Sequence, residues 1–122
     1  MALIAPQEVV WSRDLPPMDG TRLRAHVLEV SYRPGESSRP HSHPCATFGH
    51  VVEGALRMRV DAGSDTVYRA GDTFYEAPNS RHLVSANASE TKAARFVVFF
   101  VCEGEKTLSV PLPSPSLSNG RH

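Results

Sequence analysis

Short hydrophobic runs alternate with clusters of turn-forming residues along the chain, and no stretch has the spacing of a long amphipathic helix. The clearest alternation lies in residues 55–61, where Leu56, Met58 and Val60 share one face of an extended strand and charged residues share the other. This pattern predicts a half-buried strand whose apolar face lines the interior. Residues 96–101 are instead apolar on both faces, which predicts a central strand or one that another chain covers.

Turn signals separate these runs into many short strands. Ten prolines and eight glycines interrupt the sequence, and Asp61-Ala62-Gly63-Ser64 has the composition of a hairpin loop. The strands predicted in this way are Glu8–Ser12, Arg22–Tyr32, Ser37–His43, Phe48–Val52, Ala55–Asp61, Asp65–Tyr68, Thr73–Ala77, His82–Ala86 and Arg95–Val101. The expected fold class is therefore all-β, as a sandwich or barrel.

The length of 122 residues suits one domain, which we expect to occupy residues 1–110 with its core in 22–101. From Pro111 onward the sequence has no core pattern, so residues 111–122 are predicted to form an extended or disordered tail. The chain has no internal repeat and no nucleotide-binding glycine loop.

The charge balance argues against nucleic acid or an anionic membrane as a partner, because the chain has 13 basic and 13 acidic residues and so no net charge. No apolar run approaches the ~20 residues of a membrane helix, and the N-terminus lacks the basic segment of a secretory signal. Cys45 and Cys102 are the only cysteines. They could pair, but free thiols in a reducing compartment are the expectation, so the predicted location is the cytoplasm.

The most distinctive chemistry lies at His41 and His43, which are separated by one residue in a predicted strand. Alternate side chains of a strand share a face, so both imidazoles are expected to aim at one point. His82, on a later strand, would complete a trio of nitrogen ligands that leaves coordination positions open on a divalent metal. The alternative is that the three rings only form hydrogen bonds and bind nothing.

The residues around these histidines resemble the two motifs of the cupin superfamily, and in particular its small single-domain members. In the first motif, five residues separate Gly35 from His41, Thr47 stands where a glutamate ligand is usual, and Gly54 follows. In the second, five residues separate Gly71 from the segment Ala77-Pro78-Asn79, which His82 and Asn87 follow; Ala77 and Asn79 replace the usual proline and glycine. Asn tolerates the left-handed conformation that a turn glycine would adopt.

The resemblance implies a cupin fold, that is, a jelly-roll or double-stranded β-helix barrel, with one divalent transition metal held by His41, His43 and His82. Three neutral imidazoles suit Fe, Zn, Ni, Mn or Cu. They leave the metal charge uncompensated inside the barrel, which favours an anionic ligand. We therefore expect an enzyme for an anionic or enolisable small molecule, either a dioxygenase or a non-redox cyclase, lyase or isomerase. The alternative is a non-catalytic module that binds a metal or a small ligand.

Two further titratable residues are candidates for catalysis. Glu76 lies in an apolar predicted strand, where it is either a general base near the metal or the partner of Arg81 or another arginine. His50 falls on the face opposite Thr47 by alternation, unless a bulge near Gly49 reverses it. It is either a further ligand or proton shuttle, or a residue at the sheet surface or in a subunit contact.

The expected pocket walls are Thr47, Phe48, Met58, Phe74 and Phe100, with core packing as the alternative role for the apolar members. A homodimer is also expected, because Phe96–Val101 and the segment containing Trp11 carry more apolar surface than one small barrel can bury. The alternative cover for that surface is the chain's own segment Leu108–Leu112.

Overall fold

A computed structural model describes residues 9–18, 20–104 and 107–113, and within this part of the chain nearly all regular structure is β-strand. A single 3-10 turn, Gly20–Arg22, precedes the first strand. The strands are β1 (Leu23–Tyr32), β2 (Ser37–Ser38), β3 (His41–Ser42), β4 (Ala46–Glu53), β5 (Ala55–Val60), β6 (Thr66–Arg69), β7 (Thr73–Glu76), β8 (Arg81–Asn87), β9 (Ala94–Glu103) and β10 (Val110–Pro111). The all-β prediction is confirmed, and no helix in the described ranges is long and apolar enough to cross a membrane.

The strands form two antiparallel sheets. The four-stranded sheet has the order β1-β9-β4-β7, and the six-stranded sheet has the order β10-β3-β8-β5-β6, with β2 pairing β8. Consecutive strands such as β3 and β4 lie in different sheets, so the chain passes repeatedly from one sheet to the other. This arrangement is the double-stranded β-helix that the motifs imply.

The core lies between the sheets and is built by the predicted alternation. Leu56 and Met58 of β5 are buried, whereas Arg57 and Arg59 between them are exposed. The opposite wall comes from the four-stranded sheet, where Val51, Phe74 and Phe96 join the same hydrophobic cluster. Truncation of a fully buried leucine such as Leu56 to alanine costs about 2–5 kcal/mol, so this cluster accounts for much of the fold's stability.

At two backbone positions the structure shows why the residue type is suited to its place. Gly49 of β4 lies directly against the ring of Phe74, and a Cβ at this position would overlap the ring. Asn79 has a φ of 67°, so the asparagine that replaces the motif glycine does adopt the left-handed conformation, as predicted.

Two of the predicted strands are wrong. The strand expected over 37–43 is divided into β2 and β3, because Pro40 lacks an N–H for the ladder, and His43 lies beyond β3. Residues 9–12 of the strand expected at Glu8–Ser12 form no strand, and Glu8 lies outside the described residues. In the segment 111–122, predicted to be extended or disordered, Pro111 belongs to β10, which pairs with β3; residues 114–122 lie outside the described residues.

The two cysteines are paired, which corrects the expectation of free thiols. Cys45 precedes β4, Cys102 lies in β9, and the disulfide joins them with a Cα–Cα distance of 4.8 Å. The antiparallel pairing of Ala46 with Val101 brings the two cysteines side by side, although 57 residues separate them along the chain. The cysteines therefore give no support to the expectation of a reducing compartment.

Candidate metal centre

Three histidines converge at one end of the space between the sheets. His41 of β3 lies directly opposite His82 of β8 in the antiparallel register, and His43 follows β3 by one residue. One ring nitrogen from each of the three lies within 4.8 Å of the others. The convergence expected from His-x-His plus a third histidine is therefore present, although only His41 of the pair is in a strand.

Backbone carbonyls set the orientation of two of the rings. His41 Nδ1 lies 2.7 Å from the carbonyl oxygen of Arg39, and His43 Nδ1 lies 2.7 Å from that of Leu108. A carbonyl oxygen only accepts hydrogen bonds, so each Nδ1 carries the proton and donates. Each Nε2 is then left with a free lone pair, which is the form in which imidazole binds a metal.

The third ring, His82, is almost completely buried and is held differently. Its Nδ1 lies 3.1 Å from Oε2 of Glu76, and both side chains are nearly inaccessible to solvent. Both ring nitrogens of His82 and Oε1 of Glu76 are buried, and none of these atoms has a hydrogen-bond partner of good geometry among the described residues. Buried polar atoms normally have partners, so these orphaned atoms fit a cation held among the three rings.

Burial lowers the pKa of His41 below its ordinary value of 6.5, and charge on the His82 and His43 rings would lower it further. The hydrogen bond to the Arg39 carbonyl opposes this shift, as does the Glu76 carboxylate more weakly. The net effect favours the neutral imidazole, which is the species that ligates a metal.

Thr47 and Glu76 occupy directly opposed positions on β4 and β7, and both line the cavity beside the histidines. The Thr47 hydroxyl donates to the carbonyl oxygen of Cys45 at 2.9 Å, so it is engaged within its own segment. Arg81, the partner considered for Glu76, instead lies 3.6 Å from Asp61. The ion-pair contact of Glu76 among the described residues is with His82.

The histidines open into a cavity of about 440 Å³, a volume suited to a small molecule. Met58, Phe74 and Phe100 lie on its lining, as expected, together with Phe96 and Val98 of β9. The permanently charged cation on the lining is Arg39.

Two predicted site residues lie elsewhere. Phe48 and His50 are on the outer face of β4, because alternate residues of a strand point to opposite sides and Thr47 and Gly49 point inward. Phe48 stacks between Trp11 and Phe99, with ring centroids 5.8 and 5.5 Å away, so its assignment to the pocket wall is corrected. His50 Nδ1 contacts the Thr73 hydroxyl at 2.8 Å, and the ring does not reach the three histidines.

The structure adds a polar group and a covering segment that the sequence did not reveal. The Tyr32 hydroxyl contacts Ser85 Oγ at 2.8 Å and Ser38 Oγ at 2.5 Å, and all three residues line the cavity. Residues 107–113, which we call the C-terminal strap, pair with β3 through β10 and place Leu108, Ser109 and Pro111 on the cavity lining. Alternation in β1 points Tyr32 inward, but its hydroxyl partners come from β2 and β8 and had no sequence signal.

A comparison with protein families gives a match over residues 28–100 to the cupin domain, which covers both motifs and all three histidines. The chain belongs to the cupin family. The match begins within β1 and ends within β9, so it includes both sheets of this cupin fold.

Among curated proteins, oxalate oxidase GF-3.8 of Triticum aestivum is 35% identical over 98 residues, which are 74% of this cupin and 43% of the wheat protein. Among solved structures, an oxalate oxidase superposes with a TM-score of 0.63 at 24% identity, covering 80% of this chain and 56% of that one. The DMSP lyase DddQ from Ruegeria pomeroyi DSS-3 superposes with a TM-score of 0.60 at 17% identity, covering 74% and 43%. The chain thus spans about half the length of these proteins, and the structural matches show the shared fold.

Proposed function

We propose that this cupin is a metal-dependent enzyme that acts on a small anionic or enolisable molecule. The observation that carries the proposal is the convergence of His41, His43 and His82 at an apolar cavity, with a buried, unpartnered Nε2 on His82. Three imidazoles leave coordination positions open on a divalent transition metal, and an open position is what distinguishes a catalytic site from a structural one.

His41, His43 and His82 would hold the metal through their Nε2 atoms. When bound, a divalent ion at this site would supply Lewis acidity or, if redox-active, a route to oxygen chemistry. The apolar wall of Phe96, Val98 and Phe100 would exclude water from a bound substrate and strengthen its electrostatic interactions.

The charges on the lining favour an anionic substrate. Even with Glu76 ionised, a divalent ion among neutral imidazoles would leave the centre positive, and Arg39 adds a cation on the lining. The hydroxyls of Tyr32 and Ser85 lie on the same lining, and we assign them the role of orienting a substrate oxygen. The names of the similar proteins, an oxidase and a lyase, match the two reaction classes that this centre would support.

The test begins with elemental analysis of the purified protein and of samples loaded with Fe, Mn, Ni, Zn or Cu. Oxygen consumption and product formation are then measured with oxalate and with enolisable and catecholic acids, and the His82→Ala protein serves as the control. We expect about one metal per chain and turnover that chelation abolishes. Saturable ligand binding without turnover would favour a non-catalytic binding module, and a failure to bind any of the metals would contradict the proposal.

A homodimer is part of this proposal. β1 is the edge strand of the four-stranded sheet, its Val27 is 61% exposed, and Val9 and Val10 upstream are 82% and 76% exposed. The alternative cover is the chain's own segment Leu108–Leu112, of which Leu108, Ser109 and Pro111 line the cavity. Sedimentation at micromolar concentration is expected to give twice the chain mass of 13.3 kDa, and a clean monomer would contradict the dimer.

A further inference from the structure

Glu76 is a buried carboxylate without a permanent cation to balance it. The residue is 3% exposed, and its ion-pair contact among the described residues is with His82, at 3.1 Å. Its second oxygen, Oε1, has no hydrogen-bond partner in the part of the chain that the structure describes. A buried charge is costly unless it is paired and hydrogen-bonded, so this carboxylate needs a positive charge nearby.

The location of Glu76 relates it to the residue missing from the first motif. Thr47, which stands where the motif has a glutamate, is directly opposite Glu76 on the neighbouring antiparallel strand. Directly opposed residues have Cβ atoms about 4.5–5.5 Å apart, and both of these side chains line the cavity. The carboxylate absent from the motif position on β4 is therefore present one strand away, on β7.

We infer that Glu76 is the acidic positioning residue of this metal site, which acts by holding His82 from the adjacent strand. The Glu76 carboxylate lies 3.1 Å from His82 Nδ1, close enough to attract a proton to that nitrogen and leave Nε2 for a metal shared with His41 and His43. Its charge would offset part of the charge of a bound metal. This inference rests on the metal dependence proposed above.

The geometry favours this role over two others. Glu76 does not belong to the group of converging ligand atoms, so it is not placed as a direct ligand. A pair that served only to stabilise the fold would leave Nε2 of His82 buried without a partner among the described residues. A metal bound at Nε2 would give that nitrogen a partner and would also balance the negative charge of the Glu76 carboxylate.

The experiment measures affinity for Co²⁺ and Zn²⁺ by calorimetry, and the visible absorption of the Co²⁺ form, in wild type and Glu76→Gln. The substitution preserves shape but removes the charge, and we expect metal binding about 10- to 100-fold weaker with an altered Co²⁺ spectrum. Glu53→Gln is the matched control, because Glu53 is an exposed carboxylate of β4 paired with Arg95 on the surface. It should bind both metals like wild type.

A second variant asks whether the carboxylate can return to the motif position. In the double variant Glu76→Gln/Thr47→Glu the carboxylate lies on β4 within the same cavity. We expect this variant to bind metal at least tenfold more tightly than Glu76→Gln alone. Should Glu76→Gln fail to fold, Glu76→Asp replaces it, since a shorter side chain draws the carboxylate away from Nδ1 and should also weaken metal binding.

The outcomes separate the two proposals. Unchanged affinity and an unchanged Co²⁺ spectrum in Glu76→Gln, or in Glu76→Asp where that variant is used, would overturn the role of Glu76 while leaving the metal site intact. A lowered melting temperature of the metal-free variant with normal metal affinity would show a structural ion pair only. A wild-type protein that binds neither metal would overturn both this inference and the proposed function.

Discussion

The two sheets contribute different chemistry to the centre. The six-stranded sheet and the segment next to it carry the three imidazoles, with His41 and His82 paired across β3 and β8. The four-stranded sheet carries the opposed pair Thr47 and Glu76 and the aromatic wall. Ligands therefore come from one sheet and charge and apolar surroundings from the other, so the complete site exists only when the sheets are packed.

His43 lies where the two sheets meet. Its Nδ1 contacts the carbonyl of Leu108 in the C-terminal strap, which pairs with β3 of the six-stranded sheet. Two residues later, Cys45 is joined by the disulfide to β9 of the four-stranded sheet. The segment between β3 and β4 is thus held on both sides, which limits the movement of the ligand it carries.

The largest effect is expected from removal of an imidazole on the six-stranded sheet. His41→Ala, His43→Ala and His82→Ala should each lose most of the bound metal, because no carboxylate ligand remains to compensate. Elemental analysis of the purified variants measures this. His50→Ala is the matched control on the outer face of the other sheet and should retain its metal; undiminished metal in His82→Ala would remove that residue from the site.

The disulfide is the next test, because it ties the His43 segment to the four-stranded sheet. Replacement of Cys45 and Cys102 by alanine should lower the free energy of unfolding by about 2–5 kcal/mol, since the bond closes a long loop in the unfolded chain. Urea denaturation measures the change. Reductant should lower the stability of the wild type and leave the double variant unaffected; a wild type insensitive to reductant would contradict the bond.

Thr47→Glu tests whether the four-stranded sheet can also supply a ligand. We expect tighter metal binding and weaker binding of an anionic substrate, because the new carboxylate neutralises charge and takes a coordination position. The metal-free variant should be clearly less stable, because two like charges would lie directly opposite each other at buried positions. Unchanged metal affinity would show that residue 47 does not face the metal.

The smallest effect is expected from the protonation of His41 in the metal-free protein. Since burial lowers its folded-state pKa below 6.5, the folded state favours the neutral ring and the unfolded state binds the proton more readily. This contribution to stability is therefore fully present above pH 6.5 and is lost as the pH falls through the lowered pKa. Urea titrations from about pH 7.5 to about pH 5 should show the loss, and His41→Gln should reduce it; an equal loss in both proteins would assign it to other groups.

Much of the fold and the ligand set could be predicted from local patterns. The alternation in residues 55–61 predicted which side chains of β5 are buried, and the two motifs located His41, His43 and His82. The assignment of Phe48 failed because an apolar residue in a strand is compatible with either face of the sheet. Phe48 is large and apolar whether it faces the cavity or, as here, stacks on Trp11 outside the sheet.

The sequence by itself determined the all-β class and the turns, because these depend on period-two alternation and on Gly and Pro conformations. It also determined the three candidate ligands, because they belong to two motifs, each made of residues close along the chain. Tertiary structure alone decided the contacts between distant segments. The pairing of β4 with β7 set Glu76 opposite Thr47, that of β4 with β9 joined Cys45 to Cys102, and that of β3 with β10 placed the Leu108 carbonyl at His43. Strand register across loops has no signature in local composition, so these partners emerge only when the sheets assemble.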